Sequence, residues 1–237
     1  MGSVENRILV TGASGQYGRL AVDGLLAKGV SPSSLLLLTR DPAKLADYAA
    51  KGSSIRKEEM LRASGLYWTA LRDAQYSEAL TDVAGPPALK AGVLRVNAGQ
   101  GKMAFISRDD CVGPAVNILA DPSPHRNKAY HITGPELLSW GDAAKIMGET
   151  VGKTLFYEHL TDDEQLAIFD AMGIPREPID GFVVNGNPWN SSDMVSFTKA
   201  TALGEFEIIS DDVQKLTLKK PKTFREVCEE RLSSLKQ

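Results

Sequence analysis

Apolar residues at the start of the chain come in short runs set apart by glycine-rich and polar stretches. Arg7-Ile8-Leu9-Val10 is a β-branched run that stops at a glycine turn. Leu35-Leu36-Leu37-Leu38-Thr39 is continuously apolar, as in a strand covered on both faces. Between them Leu20, Ala21, Leu25 and Ala27 fall near helical spacing from Gln16 to Lys28, and Gly29 ends the run. Asp41-Pro42 supplies an N-cap and a first-turn proline for a helix reaching about Ala50, and Ser53 to Arg56 reads as a short further strand. Alternating strands and helices of this kind predict a parallel sheet with crossover helices.

A small helix from Lys57 to Ala63 comes next, then strands at Leu66–Leu71, Gly92–Val96, Met103–Ile106 and Tyr130–Ile132. Ser107-Arg108-Asp109-Asp110 opens a helix to Leu119. Ser139-x-x-Asp142, Thr161-x-x-Glu164 and Thr223-x-x-Glu226 are capping boxes, each heading an amphipathic stretch. The second half is therefore predicted to be mostly helical, with loops around Pro175–Pro178 and Asn185–Asn190.

Composition narrows the class. The 237 residues are 43% hydrophobic and 24% charged, values of an ordinary globular chain able to bury a core. Net charge is −3, and residues 1–100 hold 12 Lys/Arg against 9 Asp/Glu, too even a balance for a face that grips phosphate backbones. Nucleic acid is thus not an expected partner. No run reaches 18 apolar residues, so neither a membrane span nor a signal peptide is expected, and the cytoplasm is the expected location. Cys111 and Cys228 lie outside any C-x-x-C spacing and read as reduced thiols.

Thr11-Gly12-Ala13-Ser14-Gly15-Gln16-Tyr17-Gly18 carries the main chemical signal. Gly12 permits a tight exit from the strand and Gly15 a close approach of backbone N–H groups to a pyrophosphate. Gly18 lets the helix pack close to the sheet with its positive end toward the anion. The spacing is G-x-x-G-x-x-G, a variant of the dinucleotide fingerprint, and its place between an apolar strand and a helix supports cofactor binding over an ordinary glycine turn. The next strand ends in Thr39-Arg40, where NAD-binding chains place a carboxylate; Arg40, with Lys44 one helical turn on, suits the 2′-phosphate of NADP. The alternative for Arg40 is a solvated strand-end charge.

Residues 8–18 and Leu38-Thr39-Arg40-Asp41-Pro42-Ala43-Lys44 resemble the NmrA-like atypical short-chain dehydrogenase/reductases, in particular the NAD(P)H:quinone oxidoreductase and triphenylmethane-dye reductase branch. The likeness resumes at residues 61–72 and Tyr76-Ser77-Glu78, continues through 96–102 and 106–110, and returns at 210–216. It implies that the turn after the strand at 66–72 lines the nicotinamide side of NADP(H), placing Asp73, Ala74, Gln75, Tyr76 and Ser77 there, with Arg108 as a further cofactor contact. Asp73 and Gln75 stand where the family usually has Asn and an aromatic. The plainer alternatives are a core aromatic for Tyr76 and a first-turn surface charge for Arg108. Between Arg56 and Lys57 the family continues through roughly 60–75 residues that are absent here, about two βα units.

No catalytic constellation can be named. None of the tyrosines has a lysine four residues on, which removes the usual general acid of short-chain dehydrogenases. His125, His131 and His159 stand alone, no metal site is expected, and Ser14 is not in a nucleophile elbow. The expected fold is α/β, a Rossmann-like doubly wound parallel sheet, abridged at Arg56, with a smaller mostly helical C-terminal portion. Residues 1–135 form the NADP-binding part and 136–237 the substrate side. The leading function is NADPH-dependent hydride transfer to a quinone, enone or related aromatic or conjugated acceptor. The alternatives are a non-catalytic NADP(H)-binding redox sensor and a nonfunctional truncated product; a homodimer remains open as the assembly.

Arg40 and Lys44 generate a first prediction: NADPH binds more tightly than NADH, one charge-assisted phosphate contact contributing about 1.5–3 kcal/mol. Titrating both cofactors against the wild type and Arg40→Asp checks it. Equal wild-type affinities would contradict it.

Overall fold

The computed structural model describes residues 8–10, 16–37, 54–55, 67–177, 179 and 190–235. Its chain divides into two compact units, each assembled from several stretches of sequence. The first contains residues 1–72, 109–130 and 215–218; the second contains 73–108, 131–214 and 219–237.

In the first unit, β1 (Ile8–Val10) leads to α1 (Gln16–Ala27), and after a 3-10 turn at Pro32–Ser34 the chain enters β2 (Leu35–Leu37). β2 lies between β1 and β3 (Ser54–Ile55), and both pairings are parallel, Ile8 opposite Leu35 and Leu36 opposite Ser54. All three leucines of β2 are buried, as the continuous apolar run requires of a central parallel strand. Val22 and Leu25 of α1 pack with Ile8, Val10, Leu35 and Leu37 into one apolar cluster. Gly29 closes the end of α1 at φ +84°, a left-handed conformation that costs glycine little. The helix expected at 41–50, the one at 57–63 and the junction at Arg56-Lys57 lie outside the described residues.

β4 (Thr69–Asp73) starts and ends later than the apolar pattern suggested. Its partner is β7, and their hydrogen bonds begin where the Asn127 N–H meets the Trp68 carbonyl at 2.6 Å. Four of its five residues are half-buried, so the strand has no clean alternation to reveal its ends. Then follow a π-helical stretch at Ala79–Ala84, α2 (Gly85–Ala91), β5 (Val93–Val96), β6 (Lys102–Met103), α3 (Arg108–Ala120) and β7 (Lys128–Ile132). The π turn has a local cause. Pro86 and Pro87 lack N–H donors, and the Gly85 N–H reaches back five residues to the Leu80 carbonyl.

The remainder comprises β8 (Leu138–Ser139), α4 (Trp140–Val151), β9 (Phe156–His159), α5 (Asp162–Ala171), α6 (Ser191–Ala202), α7 (Asp212–Thr217) and α8 (Phe224–Leu232). β5 pairs in parallel with β9, and β6 antiparallel with β8. All three expected capping boxes form reciprocally at Ser139, Thr161 and Thr223. The second unit has its own core, in which Phe105 packs edge-on to Trp140 (ring centroids 5.9 Å apart) and lies 5.3 Å from Phe224, with Leu80, Met147, Cys228 and Leu232 around them.

These contacts set a stability prediction. Thr223→Ala removes one cap and is expected to cost about 1 kcal/mol, whereas Phe224→Ala opens a cavity beside Phe105 and should cost about 3–5 kcal/mol. Denaturant unfolding of the two variants will show the order; equal losses would contradict the assignment of α8 to the core.

Candidate functional site

At the end of β4 the backbone is gripped from two sides. The Ala74 N–H donates to the Ile132 carbonyl of β7 at 2.9 Å. The Ile106 N–H donates to the Gln75 carbonyl at 3.0 Å, and the Ser77 N–H donates to the Ile106 carbonyl at 2.8 Å. Tyr76 and Ile106 thus face each other in a parallel bridge. Behind this segment Gly134 crosses so close that a Cβ on it would lie 1.9 Å from the Phe105 carbonyl oxygen, a space only glycine can share. The turn at 73–77 is therefore fixed by main-chain bonds.

Its side chains are held as closely. The Tyr76 hydroxyl donates to Asp73 Oδ2 at 3.3 Å, and the Arg108 guanidinium carbon stands 5.6 Å from the centre of the Tyr76 ring, within cation–π range. The Arg108 N–H, the first of α3, donates to both oxygens of Glu78 at 3.1 and 3.2 Å. Glu78 is buried, and the Arg231 guanidinium of α8 lies 3.7 Å from its Oε1 and 3.0 Å from Asp82 Oδ2. Among the described residues, the buried Asp73 Oδ1 and Ser77 Oγ have no hydrogen-bond partner. Burial pushes the Asp73 carboxyl up to about 6, with the Tyr76 hydroxyl pulling the other way.

Of the residues singled out by sequence, Asp73, Ala74, Gln75, Tyr76, Ser77 and Arg108 come together in this one cluster. Gln16, Tyr17 and Gly18 form the first turn of α1 in the other unit, where Gly18 is buried and no acidic residue offsets the positive helix end. Gly12, Ser14, Gly15, Arg40 and Lys44 lie outside the described residues. Glu78 and Arg231 were missed as site residues. Nothing in the spacing connects Glu78 with Arg108 or Arg231, and a lone glutamate in a polar turn reads as a solvated charge.

The histidines are engaged elsewhere. His125 Nδ1 is 2.7 Å from the Tyr130 hydroxyl, His159 Nδ1 accepts the Gly99 N–H at 3.1 Å, and the His131 N–H donates to Asp212 Oδ2 at 2.9 Å. Among the described residues no cluster of His, Cys, Asp and Glu could hold a metal ion, and no helix is long and apolar enough to cross a membrane.

No family model matches the chain. The chain is 30% identical over 148 residues to quinone oxidoreductase 2 of Escherichia coli, an alignment covering 62% of this chain and 49% of that protein. It spans about half the length of the curated relatives it matches. The structure superposes on that of an NADPH-dependent quinone oxidoreductase of Escherichia coli complexed with NADPH, with TM-score 0.70 and 21% identity, over 94% of this chain and 98% of that one. The Citrobacter triphenylmethane reductase complexed with NADP(H) gives TM-score 0.68 and 18% identity over 95% and 99%. The resemblance read from the sequence is borne out by these relatives and neighbours, and the fold is Rossmann-like, as expected.

The burial of Asp73 yields a prediction about stability. Its folded value, about 6, exceeds the ordinary 3.8, so the folded state holds this proton more tightly than the unfolded chain does. The resulting stabilisation is fully present below about pH 4 and is lost as pH rises through about 6. Above that, a carboxylate with one unpaired oxygen stays buried. Asp73→Asn keeps the shape without the charge. It should raise stability by about 1–3 kcal/mol at pH 8 and by little at pH 4. Urea unfolding of both proteins across this range is the check, and a pH-independent difference would refute it.

Proposed function

We propose that the protein is an NADPH-dependent reductase that passes hydride to quinones, enones or related conjugated acceptors. The observation that carries this reading is the bonded cluster of Asp73–Ser77 with Arg108, the residues that the resemblance places on the nicotinamide side. The residues present suit the cofactor. In α1 Gly18 is buried and the first turn holds no acidic residue, which suits a pyrophosphate at the positive helix end; Gly12, Ser14, Gly15, Gln16 and Tyr17 would contact it. Arg40 and Lys44 would take the 2′-phosphate. The nicotinamide, when bound, supplies the hydride; the turn at 73–77 and Arg108 would orient it.

On this reading residues 1–135 serve the cofactor and 136–237 shape the acceptor side. Cys111 and Cys228 are buried and not joined in a disulfide, which accords with a reducing compartment, the cytoplasm. A small-molecule acceptor is the partner proposed, with neither nucleic acid nor membrane among the partners.

NADPH absorbance should fall when the protein is mixed with members of a panel of quinones, enones and cationic dyes. No turnover anywhere in the panel, with strongly different affinities for NADPH and NADP⁺, would replace the reductase with a redox-sensing regulator.

A further inference from the structure

Reduction of a quinone or an enone consumes a hydride and a proton, whereas reduction of a cationic triarylmethyl dye consumes the hydride alone. The chain has no tyrosine followed by lysine at the fourth position, so the usual proton donor of short-chain dehydrogenases is missing. Resting on the reductase reading, we infer that the Asp73–Tyr76 pair supplies this proton: Tyr76 gives its hydroxyl proton to the acceptor, and Asp73 replaces it across their hydrogen bond.

The step balances. A C–H bond forms as the hydride adds to carbon, and the displaced π pair settles on the acceptor oxygen, which takes the proton of the Tyr76 O–H. With Asp73 protonated on Oδ2 their bond runs from the acid to the Tyr76 oxygen, which turns the Tyr76 O–H to the acceptor; the phenolate oxygen then takes the proton of the Asp73 carboxyl, and the Asp73 carboxylate recovers one from water. The acceptor is reduced by the two electrons of the hydride, and the hydride donor is oxidised by the same two.

Three features favour a proton held here. The Tyr76 hydroxyl lies 3.3 Å from Asp73 Oδ2, on a turn whose backbone is bonded to Ile106 and Ile132. Asp73 Oδ1 is buried and, among the described residues, has no hydrogen-bond partner, which disfavours the carboxylate and favours the acid, and burial accordingly pushes this group up to about 6. The Arg108 guanidinium over the Tyr76 ring favours the transient phenolate. Among the described residues, the surrounding charges have partners of their own. Glu78 is bound to the Arg108 N–H and Arg231, Arg231 also to Asp82, and on β7 the His131 N–H is bound to Asp212; Arg72, next to Asp73, is exposed. The family's usual Asn at position 73 has no acidic proton to give, so this device would be particular to this chain and those that share the aspartate.

The experiment compares wild type with Asp73→Asn and Tyr76→Phe, using NADPH with a neutral enone or quinone and, separately, with a cationic triarylmethane dye. The ratio of enone to dye turnover should fall at least about a hundredfold in both variants, the low end of what a positioned acid contributes. Wild-type kcat with the enone should decline as pH rises through about 6, a limb that is missing with the dye and lost in Asp73→Asn. In the cofactor-free protein, an infrared carboxylic-acid C=O band should titrate near pH 6 and be absent from Asp73→Asn. An unchanged ratio, equal losses with both acceptors, a wild type that reduces only the dye, or the lack of a protonated carboxyl at pH 5 would overturn the proton pair while leaving the reductase standing. A wild type that binds NADPH but reduces neither acceptor would overturn both.

Discussion

A buried carboxylate must be partnered or it unsettles everything around it, and Glu78 is the point at which the second unit meets that demand. Its two oxygens share the first N–H of α3, and its ion pair is with Arg231. The segment that begins at Glu78 leads into the π stretch and α2, and Arg231 belongs to α8, whose Phe224, Cys228 and Leu232 sit in the core. One side chain thereby ties the turn after β4, the start of α3 and the last long helix to a common point. Loss of Arg231 would leave Glu78 buried with the α3 N–H as its remaining partner. The arrangement at Tyr76 and Arg108 depends on it, because Arg108 reaches the ring only while its own backbone is held.

Much of the frame was legible because the signals were local. β2 is an apolar run with no polar face, α1 carries its stripe through Ala21 and Leu25 and stops at Gly29, and the three capping boxes each contain both halves of a reciprocal bond within four residues. Elements without such local marks escaped. β9 has no alternation to show, since Phe156 is two-thirds exposed, and it is held by pairing with β5 and by the Arg95–Glu158 contact at 2.6 Å. α6 is built from serines and threonines of modest helix propensity; it is fixed by the Asn190 cap and by Thr198, which bonds to the Asn97 side chain a hundred residues earlier in the chain.

The candidate site divides in the same way. The glycine turn announces itself by position after β1, whereas nothing in periodicity marks 73–77, and those residues came into view through the family likeness. Once the backbone is in place the reason is plain. Ile106 binds Gln75 and Ser77 from thirty residues away, and the bond from Ala74 to Ile132 comes from farther still. Contacts of that range depend on the fold and leave no local trace.

Two carboxyl groups five residues apart show how far position governs chemistry here. Both are largely removed from water at the end of β4 and the start of the helical segment. Glu78 faces an arginine and a helix N–H, so its burial is offset by charge and hydrogen bonds. Asp73 has one tyrosine hydroxyl and, among the described residues, an oxygen without a hydrogen-bond partner, so burial is left to act on the carboxyl itself. The first carboxyl group anchors the turn to α3 and α8. The second is the group in this cluster placed to gain and lose a proton near neutral pH, and it sits on the turn that the likeness assigns to the reacting end of the cofactor.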